Sequence, residues 1–372
     1  MGIVEIVQLG YQCEKCKHAW IPVSKNEIPG QCPSCQSFDW FSKERKRLSD
    51  VVPALPLEDL TVETLQNLRD QKQIGRVTEK NTLNDLTGKQ WIKFTKSWFI
   101  DNPPPRKENE ILHPAKFPEK LAKDFISFFT KKGDIVLDPF LGSGSTIVAC
   151  SEIERSGIGI ELSEKYYEIS LQRSGMEHQT TLPIPDSKAT GVRIIKGDAR
   201  EADVILPQVL ADLKAKSVDF VLTSPPYWKM LKESRGGVES ASKQRKKNGL
   251  DTHYSEDNRD LENIGDYDVF LETLVTIFAT IKRFVKPDGY IVIVIQNVIT
   301  NDGEVKPLAW DIARRLSNVF EVRQEKIWCQ DNKPLGIWGY PKTYVSNVHH
   351  HYCLVFQNKK GEGLSGSDQS PK

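Results

Sequence analysis

Long apolar runs are missing from this 372-residue chain. None approaches the roughly 18 residues that would mark a membrane-spanning helix. The N-terminus shows no secretory pattern, so the chain is expected to work in the cytoplasm, in a prokaryotic-type intracellular setting, away from membranes. Surplus charge is also missing. The 51 Lys and Arg nearly balance the 50 Asp and Glu, leaving a net charge of +1. That balance argues neither for nor against a nucleic-acid partner, so charge has to be read locally. No internal repeat is present, which excludes a solenoid or propeller. What remains is 38% hydrophobic and 27% charged residues, enough chain for one large α/β domain and an accessory module.

The most informative segment is Thr223-Ser224-Pro225-Pro226-Tyr227-Trp228. It follows Val218 to Leu222, an apolar run that reads as a buried strand. Two consecutive prolines stop strand pairing and set a stiff turn. The turn delivers a hydroxyl, an unpaired carbonyl and two aromatic rings to a strand end, where open α/β sheets bind ligands. A planar, amine-bearing ring could stack on Tyr227 and donate its N–H groups to Ser224 and the Pro225 carbonyl. The plainer reading is a proline turn with an aromatic plug.

A second strand, Asp134 to Asp138, runs through Pro139-Phe140-Leu141-Gly142-Ser143-Gly144 into a helix. The glycines allow close backbone approach to a ligand, and the helix start offers free N–H groups. Gly157 to Glu161 is a third strand ending in an acid, 19 residues after Gly142. An acid at that spacing suits a ribose diol. Val192 to Asp198 is a fourth strand, and its terminal acid could accept from an adenine amino group. The plainer reading takes both acids as helix N-caps. A nicotinamide fingerprint fits less well, because Ile147 stands where the third glycine belongs and no catalytic His or Tyr-Lys arrangement follows.

These elements, in this order, resemble the S-adenosylmethionine-dependent methyltransferases that modify exocyclic amines of DNA bases. The resemblance rests on Phe140 to Gly144, on Ser224 to Tyr227, and on His113-Pro114-Ala115-Lys116-Phe117-Pro118 before a helix over 119–131. It covers roughly residues 113–228 and 262–357. It implies a Rossmann-like, doubly wound α/β sheet with an antiparallel edge hairpin, formed by Phe320 to Trp328 and Val348 to Phe356. It also implies S-adenosylmethionine as cofactor and double-stranded DNA as substrate, with a companion restriction endonuclease as a further candidate partner. The implied cofactor residues are Lys116, Phe117, Pro118, Asp138, Pro139, Phe140, Gly142, Ser143, Gly144, Glu161, Asp198 and Thr223. The implied catalytic residues are Ser224, Pro225, Pro226 and Tyr227. Serine rather than aspartate at 224 leans toward cytosine N4, with adenine N6 as the alternative. No Pro-Cys loop is present, which disfavours methylation at cytosine carbon 5. An RNA or protein amine as substrate, or an inactive fold serving as a zinc-ribbon nucleic-acid binder, remain the competing classes.

The chemistry can be stated from the residues. An exocyclic amine is a poor nucleophile because its lone pair is delocalised into the ring. Acceptors on both N–H groups favour the pyramidal nitrogen, whose pair is available. Trp228 is a candidate second wall for the base. A base inside a duplex cannot reach such a turn, so it must be flipped out or single-stranded.

Of seven cysteines, four are patterned: Cys13-x2-Cys16 and Cys32-x2-Cys35, fifteen residues apart. This is the spacing of a four-cysteine zinc ribbon over residues 1–48. Cys150, Cys329 and Cys353 sit in apolar contexts and read as core. Residues 49–112 read as a linker and helical region (with a helix near 62–73) that could contact DNA. The aromatics of Trp91 to Phe99 are expected to dock on the catalytic domain, 113–358. Within it, 229–261 is a basic insertion whose first 22 residues hold seven Lys and Arg against two Glu. It begins beside the Ser224 turn, where phosphate contact is plausible. His349-His350-His351 is a poor metal site, since neighbouring strand residues face opposite ways. The tail 359–372 reads as disordered.

Overall fold

A computed structural model of the chain describes residues 9–12, 19–20, 46–47, 77, 80–102, 117–175, 191–228, 257–300, 303–333, 337–338, 341–342, 345–346 and 348–359. Several expectations lie outside them: the four patterned cysteines, the 62–73 helix, His113 to Lys116, most of the basic insertion and the tail beyond Lys359.

The chain divides into two compact units, Met1–Gly75 and Arg76–Lys372. In the first, β1 (Leu9–Gln12) pairs antiparallel with β2 (Ala19–Trp20) and with β3 (Lys46–Arg47). Tyr11 stands opposite Trp20 and Gln12 opposite Ala19.

The second unit is built on an eight-stranded sheet. Its strands are β4 (Trp98–Ile100), β5 (Ile135–Asp138), β6 (Ser156–Glu161), β7 (Val192–Lys196), β8 (Val218–Thr223), β9 (Val285–Ile295), β12 (Glu321–Cys329) and β15 (His350–Gln357). The order is β4-β12-β15-β9-β8-β5-β6-β7. All neighbours are parallel except β15, which runs against both β12 and β9. The expected edge hairpin is therefore present, with β4 added outside it. Two short pairs, β10 (Val298–Ile299) with β11 (Val305–Lys306) and β13 (Ile337–Trp338) with β14 (Val345–Ser346), form separate two-stranded sheets.

The central strands are nearly continuous in Val, Ile, Leu and Phe because both faces are covered. Alternate residues go to opposite cores. Val136, Phe220, Leu222, Val292 and Val294 pack with Leu121, Phe125 and Phe129 of α2 (Glu119–Phe129). α1 (Gly88–Phe94) adds Trp91 and Phe94 to this core, with Phe94 stacked on Phe128 at 4.0 Å. The Trp91–Phe99 aromatics thus dock on the catalytic sheet, as expected, apart from Trp98, which stays exposed beneath Lys96. The large unit accordingly starts at Arg76, well before residue 113. Leu137, Ile158, Val221, Ile291 and Ile293 point the other way, toward α5 (Ala202–Asp212), α6 (Tyr267–Lys282) and α7 (Leu308–Leu316). In α6 the buried residues Phe270, Leu271, Leu274, Ile277, Phe278 and Ile281 repeat at helical spacing behind the Asp266 N-cap. Cys150 and Cys353 are buried in the core.

The chain winds outward from β5 through β6 to β7, then returns to place β8 on the other side of β5. The crevice where the winding reverses, at the carboxyl ends of β5 and β8, is where ligands bind in sheets of this kind.

Candidate active site

β5 ends at Asp138, and the turn behind it enters α3 (Ser145–Glu152) with Gly142 at φ +57° and Gly144 at φ +86°. Both angles belong to the left-handed region that favours glycine. A Cβ on Gly144 would stand 3.0 Å from the Cβ of Ser170 on α4 (Glu164–Ser174), so the loop has no room for a side chain there. Arg173 of α4 holds the loop from outside: its guanidinium donates to Ser143 Oγ at 2.9 Å and pairs with Glu119 at the start of α2.

Glu161, ending β6, accepts from the Gly142 N–H at 2.7 Å and the Ser163 N–H at 2.8 Å. Burial pushes its carboxyl up to about 7, against the pull of those two donors. Each oxygen retains a free lone pair. Asp198 caps the turn after β7, accepting from Arg200 N, and both its oxygens are engaged by the Arg200 guanidinium at 2.6–3.0 Å. The cap reading therefore describes Asp198, although it also stands on the cleft wall.

One cleft joins these strand ends. It encloses about 830 Å³ counted with the open solvent at its mouth. Phe117, Pro139, Phe140, Gly142, Ser143, Glu161, Asp198, Ser224 and Pro226 all line it. Asp138 and Thr223 do not. They are fully buried behind it, and Thr223 Oγ1 donates to Asp138 Oδ1 at 2.6 Å. Asp138 also accepts from Thr146 Oγ1 at 2.5 Å and from Phe140 N at 3.1 Å. Its place is structural: it ties the glycine turn to the end of β8. Pro118 is the N-cap of α2, Gly144 the N-cap of α3, and Pro225 is buried, none of them on the cleft wall.

The aromatic pair after the prolines turns inward. Trp228, at φ +46°, donates its indole N–H to the Ile264 carbonyl and meets Tyr267 edge-on at 5.1 Å. It packs into the core and is not a second wall of the cleft. The Tyr227 ring is buried, its hydroxyl 2.9 Å from Ser224 Oγ, with the His351 ring 6.1 Å away.

Some features had no clear sequence signal. Arg259, Asp260 and Leu261 line the cleft from the far side of the insertion, with the Arg259 carbonyl held by Arg200 at 2.6 Å. Ser145 faces the cleft with its buried hydroxyl unpartnered. Beyond Tyr227, the ends of β4, β12 and β15 place Asp101 Oδ2, Gln330 Oε1, His349 Nε2 and His351 Nδ1 in buried positions without hydrogen-bond partners. His351 stacks on Trp328 at 4.5 Å while His350 meets Tyr352 at 5.1 Å, so the histidine run does alternate between faces. Burial lowers His351 to about 3, so its imidazole is neutral.

Residues 22–172 match the DNA methylase family N6_N4_Mtase. The matched stretch takes in the glycine turn and Glu161 and ends before Ser224. A 61-residue stretch is 49% identical to the orphan methyltransferase M.BamHII of Bacillus amyloliquefaciens, over 16% of this chain and 23% of that protein. The type II methyltransferase M.HpaI of Haemophilus parainfluenzae is 41% identical over 19% of this chain and 22% of its own length. M.BglI of Bacillus subtilis is 42% identical over 23% and 24%. The chain thus spans about a quarter of the length of these curated relatives. Among solved structures, TrmN from Thermus thermophilus aligns at a TM-score of 0.35 with 13% identity, over 64% of this chain and 47% of that one. Parts of this chain are thus similar to a DNA methylase family and to curated methyltransferases.

Proposed function

We propose that the protein methylates the exocyclic amine of a base flipped out of double-stranded DNA, with cytosine N4 as the preferred acceptor and adenine N6 as the alternative. The observation that carries this reading is the shared cleft: Gly142, Ser143 and Glu161 line one part of it, and Ser224 and Pro226 line the other. The residues suit S-adenosylmethionine. Glu161 keeps lone pairs for a ribose diol, Ser145 offers an unpartnered hydroxyl, and Gly144 leaves no side chain in the turn. When bound, that cofactor supplies an already activated sulfonium methyl group, so the protein's task is mainly placement. Ser224, on the cleft wall, is the acceptor for an amine hydrogen, and Pro225, buried behind it, fixes the turn. The direct test is transfer of labelled methyl groups to DNA oligonucleotides. Incorporation into RNA alone would move the reading to a different substrate class.

Glu161 makes cofactor binding depend on pH. Its folded value of about 7 lies above the ordinary 4.5. Its contribution to the stability of the cofactor-free protein is therefore present below about 4.5 and lost as pH rises through about 7. A diol prefers the carboxylate, so affinity runs the other way: it should fall as pH drops from 8 to 6, approaching about tenfold per unit. Calorimetry should show proton release on binding near neutral pH. Glu161→Gln should flatten the profile, and a flat profile in the wild type would contradict this role.

Residues 1–48 we read as a four-cysteine zinc ribbon, supported by the cysteine spacing and by the antiparallel β1–β2 pair that flanks Cys13 and Cys16. Metal analysis of the purified chain should return one zinc, lost in Cys13→Ser and in Cys32→Ser. Zinc that survives both substitutions would rule this site out. A companion restriction endonuclease and a cytoplasmic location belong to the same proposal, supported by relatives named as type II methyltransferases.

A further inference from the structure

The Tyr227 hydroxyl lies between two oxygens, Ser224 Oγ at 2.9 Å and the Val294 carbonyl at 3.2 Å. A carbonyl has no proton to give, so Tyr227 donates its only proton to Val294. Tyr227 can then only accept from Ser224, and Ser224 must donate its own single proton to Tyr227. What remains on Ser224 Oγ, at the cleft wall, is lone pairs.

We propose that the Tyr227 hydroxyl is a positioning group that makes Ser224 an obligate hydrogen-bond acceptor for the substrate amine. The inference rests on the methyl-transfer reading above.

A serine without such a partner is ambiguous. Its hydroxyl rotates and can present its proton to the amine nitrogen, engaging the lone pair that has to attack. A carboxylate or an amide oxygen in the same place accepts without help. Serine needs a neighbour that takes its proton out of play, and that neighbour must itself be fixed. Val294 supplies the fixity. It is fully buried on β9, between β8 and β15, so the chain of hydroxyls is anchored in the sheet and not in a loop. Burial raises the Tyr227 phenol well above its ordinary value, so it stays protonated at any working pH.

The anchor also excludes a proton relay. A backbone carbonyl cannot take up the proton, so the chain ends there. The N–C bond forms as the S–C bond of the sulfonium donor breaks, and the proton then shed by the methylated nitrogen passes to water. Ser224 holds and orients the amine and does not act as its base. Core packing of the ring alone would be served equally well by phenylalanine at 227. The hydroxyl is what singles out tyrosine beside a serine.

The test is a double-mutant comparison on the full chain with DNA and S-adenosylmethionine. Tyr227→Phe should lower kcat by about 10- to 100-fold, less than the roughly 10²- to 10³-fold cost of deleting a preorganised group at the reacting atoms, because it acts through Ser224. KM for DNA and calorimetric affinity for the cofactor should change little. Ser224→Asn provides an amide oxygen that accepts unaided. In that background the further effect of Tyr227→Phe should shrink to within about threefold, the coupling expected of residues in one hydrogen-bond network. Ser224→Asp serves as a second acceptor background should the asparagine variant be too slow to measure. Equal losses in all backgrounds would make the hydroxyl merely structural and overturn the proposal, as would full activity of Tyr227→Phe. If Ser224→Ala instead methylates at the wild-type rate, the methyl-transfer assignment of this turn fails first, and the proposal falls with it.

Discussion

Asp138→Ala should unfold well below the wild type, at a cost of about 3 kcal/mol, or roughly 5 °C in Tm for a unit of this size. The carboxylate is fully buried and accepts from Thr223 Oγ1 at 2.6 Å, Thr146 Oγ1 at 2.5 Å and Phe140 N at 3.1 Å. Both threonines are fully buried as well. Alanine leaves two hydroxyls and an N–H without partners, each costing about 1–3 kcal/mol, offset in part because a desolvated carboxylate is removed. That offset is visible in the acid itself: burial raises it to about 6 despite its three donors. Since the folded value exceeds the ordinary 3.8, its stabilising contribution is lost as pH rises from about 4 through about 6. Thermal melts should show that slope in the wild type and a flatter one in Asp138→Asn. An unchanged melting temperature for the alanine variant would contradict the bridging role. Activity should fall with it, because Asp138 joins the turn that carries Gly142 to the strand that carries Ser224.

Ser224→Ala should lower methyl transfer by about 10²- to 10³-fold, the scale seen when one preorganised hydrogen-bonding group at the reacting atoms is deleted. The side chain is only half-buried and belongs to the acceptor part of the cleft, so the fold should survive. Cofactor affinity should stay within about threefold, since Gly142, Glu161 and Ser145 stand apart from it on other strand ends. Pre-steady-state transfer rates and calorimetry separate the two effects. Loss of cofactor binding in parallel with rate would mean that the cleft is not divided in this way.

Much of the sheet could be read from the chain. Val218 to Leu222, Gly157 to Glu161 and Tyr290 to Gln296 are apolar beyond what a half-exposed strand needs, and they form buried parallel strands. β4 could not be read. Trp98 to Ile100 is short and aromatic, and it becomes a strand only because the end of β12 offers it a partner. In the site, the four strand ends were legible as glycines, acids and prolines at fixed places. Directions were not. Spacing cannot say that Asp138 turns inward to Thr223, that Trp228 seeks the Ile264 carbonyl, or that the Tyr227 hydroxyl reaches Val294, because each partner is distant in sequence. The row of unpartnered polar atoms from Asp101 to His351 was invisible for the same reason: it exists only where three strands end side by side.

The most direct measurement is nucleoside mass spectrometry of DNA and RNA from cells expressing the wild type and, in parallel, Ser224→Ala. The expected result is N4-methylcytosine in DNA with the wild type and its absence with the variant. N6-methyladenine in the same pattern would keep the chemistry and change the base. A mark confined to RNA, or the same DNA mark made by Ser224→Ala, would contradict the assignment of this cleft to DNA amine methylation.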